Sequence, residues 1–193
     1  NPTLYRRSVF KLCDIERGFV RVRDEGDKVT MTSKIYKDPK FPLESELVIH
    51  DTFEHGQEFL RSLNLTEKAY HETIREKWSI PKSKTASKHN QLCEVAIDHL
   101  PGLPVYAELE CKTQADLKKV CKLLNVSFDN LVFGGYGNVY NHYFDMPLDV
   151  INNVVSRLTF NNVVNELEKY VKKNKTILED AARNNIVVYH KVK

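Results

Sequence analysis

The chain has 193 residues, 41% of them hydrophobic, enough for one core and suited to one domain with at most a short appendage. Its 29 basic and 26 acidic residues leave a formal charge of +3, short of the excess that marks a dedicated nucleic-acid binder, although a local basic cavity is still allowed. No apolar run approaches the ~18 residues of a membrane span and no signal peptide is visible, so a soluble cytoplasmic protein is expected.

In chain order, residues 1–18 read as partly extended, with Tyr5, Val9 and Phe10 as anchors. Strands are predicted at 18–23 and 28–36, joined by a turn at Glu25-Gly26-Asp27 in which Gly26 supplies the permissive φ. A loop at 37–42 leads to a strand at 43–50. Asp51 or Thr52 then caps a helix to Leu63, with Phe53, Phe59, Leu60 and Leu63 near helical spacing. A strand at 68–78 carries Arg75, Lys77 and Trp78, and the Lys/Ser-rich stretch 79–89 reads as a mobile loop. Strands at 91–98 and 104–111 flank a Pro/Gly turn. Thr113 caps a helix to Asn125 whose buried stripe is Leu117, Val120, Cys121 and Leu124.

Gly134-Gly135-Tyr136-Gly137 reads as a turn, and not as a phosphate loop, because no G-K-[ST] follows. A short helix is expected at 147–153, a long amphipathic helix from Thr159 or Asn161 to Asn184, and a terminal strand at 186–189. The boundaries suggest a domain over 1–145 and a C-terminal helical extension over 146–193 ending in a short strand. The pattern is α+β with a mostly antiparallel sheet or barrel.

Residue types that carry chemistry repeat every second position, and in a strand such residues share a face. The early strands hold a basic set, Arg21, Arg23, Lys28 and Lys34, joined later by Arg75 and Lys77. Arg grips phosphate oxygens as a rigid fork and Lys acts as a movable point charge. An acidic set follows: Glu44, Glu46, Glu94, Asp98, Glu108 and Glu110. Such oxygens suit Mg²⁺ or Mn²⁺, and like charges side by side persist only when cations compensate them, whether metal ions or facing Arg and Lys. Closed into a barrel, these faces would surround a hydrated tunnel, with the apolar core outside it beneath the three longer helices. Cys13, Cys93, Cys111 and Cys121 form no C-x-x-C pair and read as small hydrophobes in a reducing compartment. His50, His71, His99, His142 and His190 have no metal spacing and read as structural or exposed. Tyr136, Tyr140, Tyr143 and Phe144 read as core, with base stacking at a tunnel mouth as the alternative. The Lys172-Lys173-Asn174-Lys175 run reads as a solvated helix face.

The order of these motifs resembles the CYTH, or triphosphate tunnel metalloenzyme, superfamily, which includes class IV adenylyl cyclases and thiamine, inorganic and RNA triphosphatases. Its R-x-R, T-x-K, E-x-E, basic strand, acid-to-Asp and E-x-E series is matched by Arg21/Arg23, Thr32/Lys34, Glu44/Glu46, Arg75/Lys77, Glu94/Asp98 and Glu108/Glu110. The resemblance implies an antiparallel eight-stranded tunnel. Arg21, Arg23, Lys28, Lys34, Arg75 and Lys77 would bind the triphosphate, with Lys34, Arg75 and Lys77 assisting catalysis. Glu108 and Glu110 would ligate Mg²⁺ or Mn²⁺ with help from Glu44, Glu46, Glu94 or Asp98. The implied function is metal-dependent hydrolysis of ATP, tripolyphosphate or a similar triphosphate, an RNA 5′-triphosphate end included. Cyclic AMP synthesis and binding without turnover are the alternatives, and the expected state is a monomer or homodimer. One departure stands out. The family's first-strand E-x-E-x-K has no match at residues 1–17, where Lys11 and Glu16 lack the spacing, so this sequence either omits that segment or the protein lacks it.

Overall fold

The computed structural model describes residues 1–13, 18–36, 43–82 and 91–192. The loop expected at 37–42 and residues 83–89 of the Lys/Ser-rich stretch lie outside them, while residues 79–81 of that stretch are strand, not loop. A single curled sheet of eight strands organises the chain. Its strands are β1 (Thr3–Lys11), β2 (Gly18–Asp24), β3 (Val29–Ile35), β4 (Leu43–Ile49), β5 (Glu67–Pro81), β6 (Gln91–His99), β7 (Tyr106–Cys111) and the two-residue β8 (Arg157–Leu158). Spatial order is β4-β3-β2-β1-β5-β6-β7, all antiparallel, while β8 pairs β5 in parallel. β4 and β7 stand at the two ends of this path.

The register sorts the side chains. Arg7 lies opposite Arg23 and His71, Arg21 opposite Thr32, and Thr32 opposite Glu46. Arg75 lies opposite Asp98, Ala96 opposite Glu108, and Glu94 opposite Glu110. Directly opposed residues share a face, so one face of the sheet collects the charges and the other is mainly apolar.

The apolar face is covered by helices. In α1 (Phe53–Ser62) the N-cap is Thr52, whose hydroxyl accepts from the His55 amide. Phe53 and Leu60 of α1 join Phe10 and Val22. Gly56 is where helix and sheet meet closely, because an added Cβ would stand 2.9 Å from both Ile49 and Val22. α2 (Gln114–Leu123), capped by Thr113, sets Val120 against Leu92 and Cys93. The core expected outside the sheet is therefore present under these helices.

The C-terminal third departs from the sequence reading. Of the turn expected over 134–137, Gly134 and Gly135 form a bend, but Tyr136 and Gly137 already open a helix, α3 (Tyr136–Phe144), with Gly135 at its N-cap. A π-helical turn covers Val150–Val154. The long helix over 159–184 is instead α4 (Val163–Leu167) and α5 (Lys175–Val192), separated where Asn174 takes a positive φ of 60°. The expected terminal strand is the last part of α5. Ile186-Val187-Val188-Tyr189 is β-branched and aromatic, which favours a strand locally. Burial at Leu178, Ala181, Asn185 and Tyr189 follows three- and four-residue steps, and packing decides for helix. The largest core unites both sides of residue 145, with Tyr140, Phe144, Met146, Ile151, Leu158, Leu167 and Leu178 packed on Leu100 and Leu103. Asn185 pins α5 to that core by donating to the Leu100 and Leu103 carbonyls at 2.8 and 3.0 Å.

Cys93 and Cys111, direct partners on β6 and β7, are disulfide-bonded with Cα atoms 4.3 Å apart. This corrects their reading as reduced hydrophobes. The non-hydrogen-bonded sites of an antiparallel pair bring Cα atoms close enough for such a bond. Cys121 is buried and free, as expected. Among the described residues no helix is long and apolar enough to cross a membrane.

Candidate functional site

The charged face is a lattice of ion pairs that thins out around Arg7 and Arg21. At its middle, the Glu25 carboxylate, 1% exposed, accepts from Arg23 and from Lys77 Nζ at 3.2 Å. Lys28 approaches the same carboxylate at 3.9 Å. Burial alone would raise the Glu25 pKa, but the charges of Arg23 and Lys77 outweigh it and hold the carboxyl below its usual range. Toward β7, Arg75 donates to Asp98 at 2.7 and 2.5 Å and also bonds Glu108. Burial works against the Arg75 charge, yet Asp98 and Glu108 raise its pKa further. Toward β4, Lys34 pairs with Glu44 at 3.0 Å. Thr32 donates to Glu46 at 2.8 Å and accepts from Arg21 at 3.1 Å.

Arg7 and Arg21 are compensated least: Arg21 meets Glu46 only at 3.6 Å, whereas Arg23 is held by Glu25. Arg7 and Arg21 each keep a buried Nε without a partner. Burial, then the like charges of Arg23 and Arg7, push the Arg21 pKa down to about 10 despite Glu46 and Glu44. Arg7 lies over the Tyr136 ring at 4.1 Å and donates to His71 Nδ1 at 3.0 Å. Burial and then the Arg7 charge push His71 down to about 3, so its imidazole is neutral and can accept that bond.

All the expected basic residues except Lys28, which lies in the turn before β3, therefore fall on strands of one face. Lys34, Arg75 and Lys77 are each held by a carboxylate. Arg21 and Arg23 converge with Arg7, which sequence reasoning missed. The signal was present, since Tyr5, Arg7 and Val9 alternate as the other strands do, but the adjacent Arg6-Arg7 pair hid which arginine faced the site. Glu25 was read only as a turn residue. The β1 face carries Thr3, Tyr5, Arg7 and Val9, with no carboxylate.

The six expected metal ligands do not form one cluster. Glu44, Glu46, Asp98 and Glu108 meet basic or hydroxyl partners, and Glu94 faces Glu110 across β6 and β7. Among the described residues no three His, Cys, Asp or Glu side chains converge on one point. Of the aromatic cluster, Tyr140 and Phe144 are fully buried and the Tyr140 hydroxyl donates to the Pro101 carbonyl at 2.7 Å, so core packing accounts for them. Tyr136 alone reaches the charged face. Beside Arg7, Arg21 and Tyr136 opens a cavity of about 390 Å³ that also meets Phe19, Tyr36 and Asn152.

No protein-family model and no curated protein matches the chain. Solved structures do. A conserved hypothetical protein from Pyrococcus furiosus superposes with a TM-score of 0.50 at 16% identity, covering 70% of this chain and 85% of that one. A candidate adenylate cyclase from Bacillus halodurans gives a TM-score of 0.47 at 17% identity, covering 72% of this chain and 82% of that one. The PH1012 protein of Pyrococcus horikoshii gives 0.48 at 14%, covering 67% and 77%. The first shows a shared fold and nothing finer; the other two carry no further weight.

Proposed function

We propose that the protein binds a small triphosphate on its charged face and, with a divalent cation, breaks one of its phosphoanhydride bonds. The observation that carries this reading is the Arg7–Arg21–Arg23 cluster. Three half-buried guanidinium groups share one patch, and burial, then the like charges of Arg23 and Arg7, depress Arg21. A multiply charged phosphate would relieve that repulsion through charge-assisted hydrogen bonds to the guanidinium groups.

The acids fit a metal in one manner only. Mg²⁺ is usually held by one or two carboxylates together with waters and substrate phosphates, not by an all-protein cage. Glu94 and Glu110, with Glu108 beside them, could supply such a partial set; a preformed three-ligand site has no support here. The cation would bring Lewis acidity toward the phosphoryl oxygens. The chain's own part is positioning and charge. Arg7, Arg21 and Arg23 grip phosphate oxygens, Glu25 holds Arg23 and Lys77 in place, and Arg75 is oriented by Asp98 and Glu108. Phosphoryl transfer depends mainly on such positioning and electrostatics.

Product analysis tests the reading. Purified protein is incubated with tripolyphosphate or ATP in Mg²⁺, Mn²⁺ or EDTA. Metal-dependent orthophosphate release is expected. Cyclic AMP with pyrophosphate would make it a cyclase, and tight binding without any product would reduce it to a binding module.

A further inference from the structure

A helix that covers a sheet ordinarily turns polar side chains to water, and α2 breaks that rule at its C-terminal end. Val120 and Cys121 are buried toward the sheet, while Lys119, Lys122 and Leu123, three and four residues apart, share another face. Leu123 is 69% exposed there. The chain turns at Asn125, with φ 55°, and passes through a 3₁₀ turn (Phe128–Asn130). Leu124, Val126, Val132 and Phe133 are exposed along this stretch as well. The Phe128 and Phe133 ring centroids lie 5.6 Å apart, and Lys118 stands over the Phe128 ring at 5.0 Å. Large apolar side chains gathered in water along one short segment mark an interaction surface.

Beside Leu123 lies a depression of about 660 Å³, lined by Pro81 and Leu92 and by Lys82, Lys119 and Lys122. Asp116, the one acid among its described lining residues, is already engaged by the Thr113 hydroxyl and by Lys119 at 3.3 Å. An apolar segment next to a basic hollow is complementary to an anion that carries a hydrophobic tail. The residue types then choose the kind of partner. Residues 112–133 hold four lysines and no Arg, Met, Trp or Tyr. Protein interfaces are enriched in those four types and depleted in Lys. At a bilayer, by contrast, Lys lays its methylenes along apolar groups and lifts its ammonium to the headgroups. Lys combined with Leu and Phe is drawn to anionic lipid.

We infer that the C-terminal end of α2 and the segment to Phe133 form a reversible docking surface for an anionic phospholipid bilayer. Leu123, Leu124 and Phe133 enter the headgroup layer, and a lipid phosphate sits among Lys82, Lys119 and Lys122. Because α2 covers the apolar face of the sheet, this surface is separate from the charged face, and the inference does not rest on the triphosphate reading.

Cosedimentation with sucrose-loaded vesicles tests it. The full chain is mixed with vesicles of phosphatidylcholine alone or of phosphatidylcholine with phosphatidylserine, at low and at high salt. Binding is expected only where phosphatidylserine is present, and salt should weaken it. A lysine near such a surface contributes about fivefold, so Lys119→Gln with Lys122→Gln should weaken binding more than about tenfold. Leu123→Ser with Phe133→Ser should weaken it about tenfold or more through lost apolar burial. All four side chains are exposed, so both double variants should keep the parent's melting temperature and its affinity for tripolyphosphate. Absence of binding to phosphatidylserine vesicles overturns the inference and leaves the patch to a protein partner. Binding that ignores phosphatidylserine, or that survives either pair of substitutions, overturns it too. So does a dimer, seen by sedimentation equilibrium without lipid, that the serine pair dissolves, since the patch would then belong to a second copy of the chain.

Discussion

Arg21 carries two opposed roles. Its guanidinium sits among like charges, and its pKa is pushed down to about 10 by burial and by Arg23 and Arg7. A base whose folded pKa falls below its unfolded value counts against the fold at every pH below the folded value. Arg21→Gln should therefore leave the ligand-free melting temperature unchanged or raise it. It should also weaken tripolyphosphate binding by about tenfold to a hundredfold, the range for a hydrogen bond to a charged group. A loss of stability together with unchanged affinity would remove Arg21 from the site. His71 gives the pH signature. Its pKa falls from 6.5 unfolded to about 3 folded, so the unfolded state binds the proton first. The stability it contributes is complete above about pH 6.5 and is lost as the pH falls toward 3. His71→Gln should flatten melting temperature against pH in that window relative to the parent. At this scale the sequence was legible wherever charge alternated cleanly, as at Arg21/Arg23 and Glu108/Glu110. It was not legible at Arg7 and Glu25, because adjacency does not tell which of two neighbours faces a site and a turn residue does not announce a buried carboxylate.

Among elements, strands and capped helices were readable because each carries a local signal: period-two charge, or a Thr cap ahead of an apolar stripe, as at Thr52 and Thr113. The C-terminal elements were not, because there tertiary packing overrides propensity. α5 is the clearest example. Its β-branched run is helical because Asn185 and Tyr189 are drawn into contacts with the rest of the chain, and Asn185 donates to two turn carbonyls. Asn185→Ala would remove a bond from the Leu103 carbonyl and leave the Leu100 carbonyl with the Leu103 amide. The expected cost is about 1–3 kcal/mol in denaturant unfolding. A change below about 0.5 kcal/mol would mean that α5 is not held in this way.

For the whole molecule, the order of motifs conveyed an antiparallel sheet with one charged face, and the fold agrees. It left open whether metal ions or facing Arg and Lys compensate the acids, since that depends on the register between strands. This arrangement ties metal binding to substrate. Mg²⁺ or Mn²⁺ alone should leave the melting temperature unchanged. Tripolyphosphate alone should raise it through linkage, since a hundredfold excess over Kd adds about 2.7 kcal/mol of stability, and the two together should raise it further. A large shift with metal alone would point instead to a preformed ion site.

β1 comes first in the sequence and lies in the middle of the sheet. On one side of it β2, β3 and β4 pair in sequence order, and on the other β5, β6 and β7 do the same. Only β1 joins them, and its pairing with β5 spans some sixty residues of chain. Each ribbon can therefore zip up locally, while the seam must wait until more than a third of the polypeptide has been made. Arg21 and Arg23 of the first ribbon and Arg75 and Lys77 of the second come onto one face only at that step, so the site is completed by a contact between segments remote in sequence.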